Sequence, residues 1–420
     1  MKYIIVGNSA AGIAAAESIR HIDGDGKITI ISEETHHPYC RIFLPQLITG
    51  EKTINDILIR PEAFYEEKRI ELITKKRVVH LDGENRVLHL DDGQVIKGDR
   101  ILVATGGRPL LPSIEGIGLD GVLTARNYAD ALVLREKGMK AGRVVVVGAG
   151  FVALKIAEAL HKIGLEVVII KRSRFIRKMM DEEGSEMLEQ AARRSGIKVQ
   201  FATSVNKILG KGSVEGVLLE GDEVIACDMV VMAMGVNPRL DLVKNSAIET
   251  EDGIIVDEFM ETKVPGIFAA GDVAQVYDPC SGTKEVNALW PNAVYEGKCA
   301  GFNMAGLRRP YAGGTAKNTG TFFGLGVASA GWVTNLNPGD DVSVKRWGSN
   351  YCKTVFRENK HIGSILIGQI DKGGFWANTI DVGRTQSGAW SNLGEGTYSM
   401  GQILSQHGKN EKHLAFKRRR

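Results

Sequence analysis

The sequence predicts an α/β fold built on two parallel-sheet units, and two stretches carry that expectation. At the start of the chain an apolar run, KYIIV (residues 2–6), meets the turn GNSAAG (7–12). An Ala-rich stretch of helical spacing follows, then a second apolar run, KITII, closed by Ser32 and Glu33. About 140 residues later RVVVVGAGFVALKIAEALHKIGLEVVII (143–170) repeats the order of strand, glycine turn, helix and strand. Short apolar runs bounded by glycine turns and joined through a helix read as neighbouring strands of a parallel sheet, the Rossmann-like βαβ unit.

Each turn has the residue types its chemistry needs. Gly7 allows the tight exit from the strand, and Gly12 lets the helix lie close to the sheet. Ser9 takes the place of the middle glycine and is small. The helix start at Ser9, Ala10 and Ala11 offers free N–H groups and the positive end of a helix dipole to a pyrophosphate. Glu33 lies 33 − 12 = 21 residues beyond Gly12, where an acid accepts hydrogen bonds from ribose hydroxyls. In the second unit Gly148 and Gly150 are kept, Phe151 and Val152 open the helix, and Ala153 replaces the third glycine. Two such units imply two bound dinucleotides. The second unit's return strand ends in Lys171, Arg172, Ser173 and Arg174 rather than in an acid. An acid there suits the free ribose of NAD, whereas cations accommodate the 2′-phosphate of NADP. The expected cofactor is NADP(H) or NAD(H), with the basic run favouring NADP(H).

Composition bounds the rest. At 420 residues, two or three domains are the prior. The chain is 43% hydrophobic and 25% charged, with no apolar run long enough to span a membrane. No export signal is read before the first strand. The five cysteines (40, 227, 280, 299 and 352) include no C-x-x-C pair, which argues against a zinc site, a metal cluster or a redox dithiol. Together these predict a cytoplasmic protein without a metal site. Net charge is +3, and the four cations at 417–420 account for all of it, since 3 − 4 = −1. Nucleic-acid binding is not indicated.

Between and after the two units, residues 36–52 read as a loop leading into a helix that ends near Gly50, and 61–68 as a short helix started by Pro61. Residues 69–98 read as a β-meander with turns at DGEN and DDG. RILVATGGRP (100–109) is a buried strand ending in the turn Ala104, Thr105, Gly106. Residues 181–195 read as a helix, followed by short strands up to MVVMAMGVNP (229–238). A third glycine signal, PGIFAAGDVAQ (265–275), sets Gly271 and Asp272 at a strand end, where a carboxylate can meet a sugar-alcohol chain.

The ordered set GNSAAG, ATGG, GAGFVA, MAMGVNP and AAGDVA resembles the two-dinucleotide flavoprotein reductases of the pyridine nucleotide-disulfide oxidoreductase superfamily. PYCRIFLPQLITGE, ALWPNAVYEGKCAGFNMAG and SILIGQIDKGG look most like its nitrite-reductase-like and rubredoxin-reductase-like branch. The resemblance covers residues 1 to about 380. It implies an FAD domain (1–112 and 247–312) interrupted by an NAD(P)H domain (113–246), with an α+β interface-like domain at 313–420. It implies that Gly7, Ser9 and Gly12 hold the FAD pyrophosphate, that Glu33 binds the adenosine ribose, and that Val78 lies along the adenine. Ala104, Thr105 and Gly106 would line the cofactor, Asp272 would bind the ribitol, and Trp290, Pro291 and Ala293 would sit by the flavin pyrimidine. Gly148, Gly150 and Phe151 would take the nicotinamide cofactor, and Gly235 would close its pocket.

Two departures bear on the flavin. Many relatives carry a Lys where this chain has Gln46 and a Glu where it has Lys155, and that pair lies near the flavin's reactive edge. Here the acid is replaced by a cation, so Lys155 is the candidate for tuning the flavin, and Arg41 is a second candidate cation. Cys40 lies in the loop where peroxidases and NADH oxidases of this group keep a redox cysteine. Alignment on LITGE sets their position nearer Ile42, which favours an incidental Cys40. Phe322, Phe323, Phe375 and Trp376 are either core or a docking surface, and the basic tail KHLAFKRRR either meets an acidic carrier or is a solvated terminus. Three functions are compatible with these residues: an FAD-dependent reductase working with an iron–sulfur or rubredoxin-type carrier, a stand-alone NAD(P)H oxidase or peroxidase, and a non-catalytic flavoprotein acting through partner binding.

Overall fold

The computed structural model describes residues 1–381 apart from Ala202. The first sheet runs Ile267–Ala269, Arg100–Val103, Lys2–Val6, Lys27–Ile31, Ile70–Ile73, with every neighbouring pair parallel. Its central strand is apolar from Tyr3 to Val6 because both faces are covered: Tyr3, Ile4 and Ile5 are buried. Helix Ala10–Ile22 crosses from the first strand to the second, and helix Trp290–Met304 packs along it.

One expectation is corrected here. Residues 70–73 do not open a meander. They form the parallel edge strand beside Lys27–Ile31. Four residues of alternating pattern carry no information about strand direction, and the short helix Ala63–Glu67 before them makes a parallel return possible. The antiparallel meander is three strands, Val78–Asp82, Val87–Leu90 and Val95–Lys97.

The second sheet repeats the plan: Lys198–Phe201, Glu166–Lys171, Arg143–Val147, Met229–Met232, Val122–Leu123, again with parallel neighbours. Helix Phe151–Lys162 follows its glycine turn. Helix Glu182–Arg194 is capped by Asp181, whose carboxylate accepts from the Gly184 N–H at 3.1 Å. The chain passes between the two units along a narrow ribbon, Gly107–Pro109 paired antiparallel with Val236–Pro238.

The C-terminal part is a five-stranded antiparallel sheet ordered Lys317–Phe322, Leu325–Gly331, Lys360–Ile367, Asn350–Arg357, Asp341–Trp347, with helix Gly373–Asp381 against it. Phe322 and Trp376 are buried in its packing, so these two rings are core and not an open surface. The sheet is fastened to the second unit: Lys353 pairs with Asp181 at 3.1 Å, and the Ser329 hydroxyl donates to the Met179 carbonyl. The basic tail lies outside the described residues. Among the described residues no helix is long and apolar enough to cross a membrane.

Candidate functional site: two nucleotide cradles

The first glycine turn is shaped by backbone contacts that exclude side chains. Gly7 has φ +123°, and a Cβ there would stand 2.1 Å from the Ala104 carbonyl oxygen. A Cβ on Gly12 would stand 1.9 Å from the Gly7 carbonyl oxygen. The turn is thereby pressed against the Ala104–Gly106 turn of the neighbouring strand. Ser9 is the N-cap of helix Ala10–Ile22 yet makes no side-chain cap bond, so the first-turn N–H groups of a buried helix start are left for a ligand. Asn8, inside the turn, accepts from the Tyr65 hydroxyl at 2.7 Å, while its own Nδ2 is buried with no partner.

Helix Trp290–Met304 completes the cradle. Gly297 faces Ala11 and Gly301 faces Ala15, so closely that a Cβ would meet their carbonyl oxygens at 2.2 and 2.4 Å. A Cβ on Gly271 (φ +79°) would stand 3.2 Å from Ala11 Cβ and 3.5 Å from Ala293 Cβ, so this residue touches both helices. Its N–H donates to Glu296 Oε2 at 2.7 Å. Glu296 is buried, and burial holds its carboxyl well above the usual range, with Asp272 pushing the same way. Pro291 sits in the first turn of this helix, and Leu289 provides no side-chain cap.

Two arginines that sequence reasoning missed stand at the cradle's acids. Arg126 pairs with Asp272 at 2.7 Å and donates from Nε to the Gly107 carbonyl at 3.1 Å. Arg239 pairs with Glu33, and its backbone N–H donates to the Gly106 carbonyl at 2.9 Å. Neither position carries a local signal, since the partners are 146 and 206 residues apart. Arg41 is brought to the same region. It pairs with Glu34, and its Nη1 donates to the Arg126 carbonyl at 3.3 Å. Val78 is buried in the core of the first unit.

The second cradle reproduces the first. Gly148 has φ +143°, and a Cβ there would stand 2.2 Å from the Ala233 carbonyl oxygen. Gly150 is the N-cap of helix Phe151–Lys162, and nothing lies within 4 Å of where its Cβ would be. The same open space surrounds Gly235, at φ +126°. Val152 is exposed at the turn, while the Phe151 ring lies 5.7 Å from Phe322 of the C-terminal sheet.

Two sequence candidates sit differently from expectation. The Lys171 ammonium is buried, 2.7 Å from Glu189 and over the rings of Phe175 and Phe201 at 4.6 and 4.3 Å. It faces the domain interior, so Arg172, which is exposed, is the cation of that pair available to a ligand. Lys155 is not a free cation. Its ammonium is 2.7 Å from Glu158, one helical turn on, and donates to the Thr321 carbonyl of the C-terminal sheet. Cys40 is half-buried, and burial pushes its thiol up.

The donor sets fit two dinucleotides. The first cradle has uncapped helix N–H groups, an orphaned buried amide at Asn8, and acids at both ends for hydroxyl-bearing sugars. The second has an open glycine N-cap. A parallel sheet with a pyrophosphate cradle, repeated once in the chain, defines a two-nucleotide flavin oxidoreductase. This chain belongs to the pyridine nucleotide-disulphide oxidoreductase family, whose profile matches residues 1–297. It is an enzyme of that family, using FAD and NAD(P)H. It is 31% identical over 384 residues to the NADH-dependent phenylglyoxylate dehydrogenase subunit epsilon of Aromatoleum evansii, covering 90% of this chain and 91% of that one. It is 33% identical over 323 residues to an NADH oxidase of Methanocaldococcus jannaschii, covering 74% and 71%. Among solved structures it superposes on the ferredoxin reductase for the CYP199A2 system of Rhodopseudomonas palustris with a TM-score of 0.86 at 26% identity, covering 97% and 99%.

Proposed function

We propose that this protein passes electrons between a nicotinamide nucleotide and an iron–sulfur or rubredoxin-type carrier, either alone or as the flavin subunit of a larger assembly. The observation that carries this reading is the pair of cradles, together with a Cys40 whose thiol burial pushes up. The chain offers two nucleotide sites and no activated thiolate at that loop, so electrons leave from the flavin. Bound FAD supplies the chemistry, taking a hydride at N5 from the nicotinamide C4 and releasing electrons singly or in pairs. The chain's own part is to hold the two nucleotides and exclude water between them. Two of the relatives named above, a subunit of an NADH-dependent dehydrogenase and a ferredoxin reductase, support a protein partner.

In this reading residues 1–112 and 247–312 bind FAD, 113–246 bind NAD(P)H, and 313–420 form the interface-like part. Gly7 to Gly12, Glu33, Arg41, Val78, Ala104 to Gly106, Gly271, Asp272, Trp290, Pro291 and Ala293 surround FAD, and Arg126 joins them. Gly148, Gly150, Phe151, Val152 and Gly235 hold the nicotinamide nucleotide. Arg172 takes over from Lys171 as the residue that meets a 2′-phosphate, which favours NADP(H). A cytoplasmic location rests on the five dispersed cysteines, none of them in a C-x-x-C pair.

Anaerobic stopped-flow mixing with NADH or NADPH, followed by air or by a ferredoxin, tests the proposal. Fast flavin bleaching, slow reoxidation by air and fast reoxidation by ferredoxin are expected. Fast reoxidation by air would instead favour an oxidase, the activity named for the Methanocaldococcus jannaschii relative. Absence of bleaching would favour the non-catalytic reading.

A further inference from the structure

The acid that ends the second strand of the first sheet is held by a residue from the far side of the chain. Glu33 forms its ion pair with Arg239, the first residue after the ribbon strand Val236–Pro238. Both side chains are about one-third exposed, 35% and 38%, so the pair lies at the mouth of the cradle and not in the core. Arg239 is committed there by its neighbours. Its backbone N–H donates to Gly106 at 2.9 Å, and its carbonyl accepts from the Thr105 hydroxyl at 3.2 Å. The nearest acid along the chain, Asp241, is already taken by both guanidinium nitrogens of Arg108, at 2.8 and 3.3 Å across the ribbon. The adjacent acid, Glu34, is taken by Arg41. Arg239 therefore has Glu33 as its acidic partner, and the pairing is built by the fold.

We propose that Arg239 is a positioning residue for the adenosine half of FAD, and so contributes to selecting FAD over FMN. The inference rests on the FAD reading of the first cradle. An acid at the end of this strand accepts from ribose hydroxyls. A carboxylate with one oxygen held by a guanidinium has lost its rotational freedom before the ligand arrives, which lowers the ordering cost of binding. FMN lacks the adenosine and cannot use Glu33.

The test measures dissociation constants for FAD and FMN with apoprotein, from quenching of flavin fluorescence, at low and high salt. The variants are R239Q, R239K, E33Q and the double variant R239Q/E33Q. Glutamine keeps the backbone bonds to Gly106 and Thr105. R239Q is expected to weaken FAD by about five- to tenfold, as for loss of one charge-assisted contact, and to leave FMN unchanged. R239K should restore part of the loss, and the double variant should be no weaker than E33Q alone. Equal weakening of FAD and FMN, additive effects of R239Q and E33Q, or unchanged FAD affinity in R239Q would each overturn the assignment. Failure of the unaltered protein to bind FAD would instead overturn the cofactor reading on which it rests.

Discussion

Replacing Gly297 by alanine tests whether the packing of helix Trp290–Met304 on helix Ala10–Ile22 shapes the first cradle, the one proposed to hold FAD. The added Cβ would stand 2.2 Å from the Ala11 carbonyl oxygen and 2.7 Å from Ala11 Cα. Ordinary contacts of this kind are about 3.4 Å or more, so one helix must retreat by about 1 Å. The obstructing atoms are backbone and cannot rotate away. Alanine itself favours the helix by about 1 kcal/mol over glycine. Overpacking of this kind costs about 1–3 kcal/mol, and backbone clashes lie at the upper end. The net expectation is a destabilisation of about 1–2 kcal/mol. The retreat also pulls Glu296, the next residue, away from the Gly271 N–H it accepts at 2.7 Å, and Ala11 away from the helix start. G297A should therefore lose FAD during gel filtration, read as the ratio of flavin to protein absorbance, and melt at a lower temperature. Should G297A retain full flavin and melt at or above the parent temperature, this close approach does not set the cradle, and the reasoning fails.

Four further outcomes are expected. G150A should leave flavin content and melting temperature unchanged but weaken the nicotinamide nucleotide, measured by titration, because the space beside Gly150 is open in the fold. R172A should weaken NADPH relative to NADH by about tenfold in flavin-reduction titrations, the worth of one charged phosphate contact, while an unchanged ratio would remove Arg172 from the ribose pocket. C40S should leave reoxidation kinetics unchanged, since burial holds this thiol above its ordinary range. Burial pulls His361 down to about 4 from an ordinary 6.5. Between those pH values the unfolded chain binds a proton that the folded chain does not. Stability is thus full above pH 6.5 and declines as pH falls toward 4, by up to about 3 kcal/mol. Urea midpoints across that range should follow the slope, and H361Q should flatten it.

Much of this site was legible because its signals are local. Gly7, Gly12, Gly148 and Gly150 lie within a few residues of the strands and helices they join, so strand, turn and helix could be read together. What sequence reasoning missed depends on distant segments meeting. Arg126 and Arg239 meet Asp272 and Glu33 across 146 and 206 residues of chain. Glu296 had a faint signal: it lies among Ala293, Gly297 and Ala300 at helical spacing, a face of small residues that suits close packing. Lys171 misled because a cation at a strand end suggests a phosphate site. Its ammonium is covered by Phe175 close by in the chain, but also by Phe201 and Glu189 from later segments. The contacts of Lys155 were not legible for a related reason, because the Thr321 carbonyl that receives its ammonium lies 166 residues on.

The strand order of the first sheet dictates when each half of the enzyme can come into being during synthesis. Strand Ile267–Ala269 pairs with Arg100–Val103, and helix Trp290–Met304 seals the first turn. The opening hundred residues must therefore wait, incomplete, until almost two hundred more have emerged. Strands Arg143–Val147 through Met229–Met232 and their helices are contiguous and meet no such delay. The second unit can mature on the ribosome while the first stays unfinished, since domains fold as units once their residues are available. A chain released near residue 250 would carry the second unit complete and the first unfinished, and it would expose Arg100–Val103 as a bare parallel edge open to association.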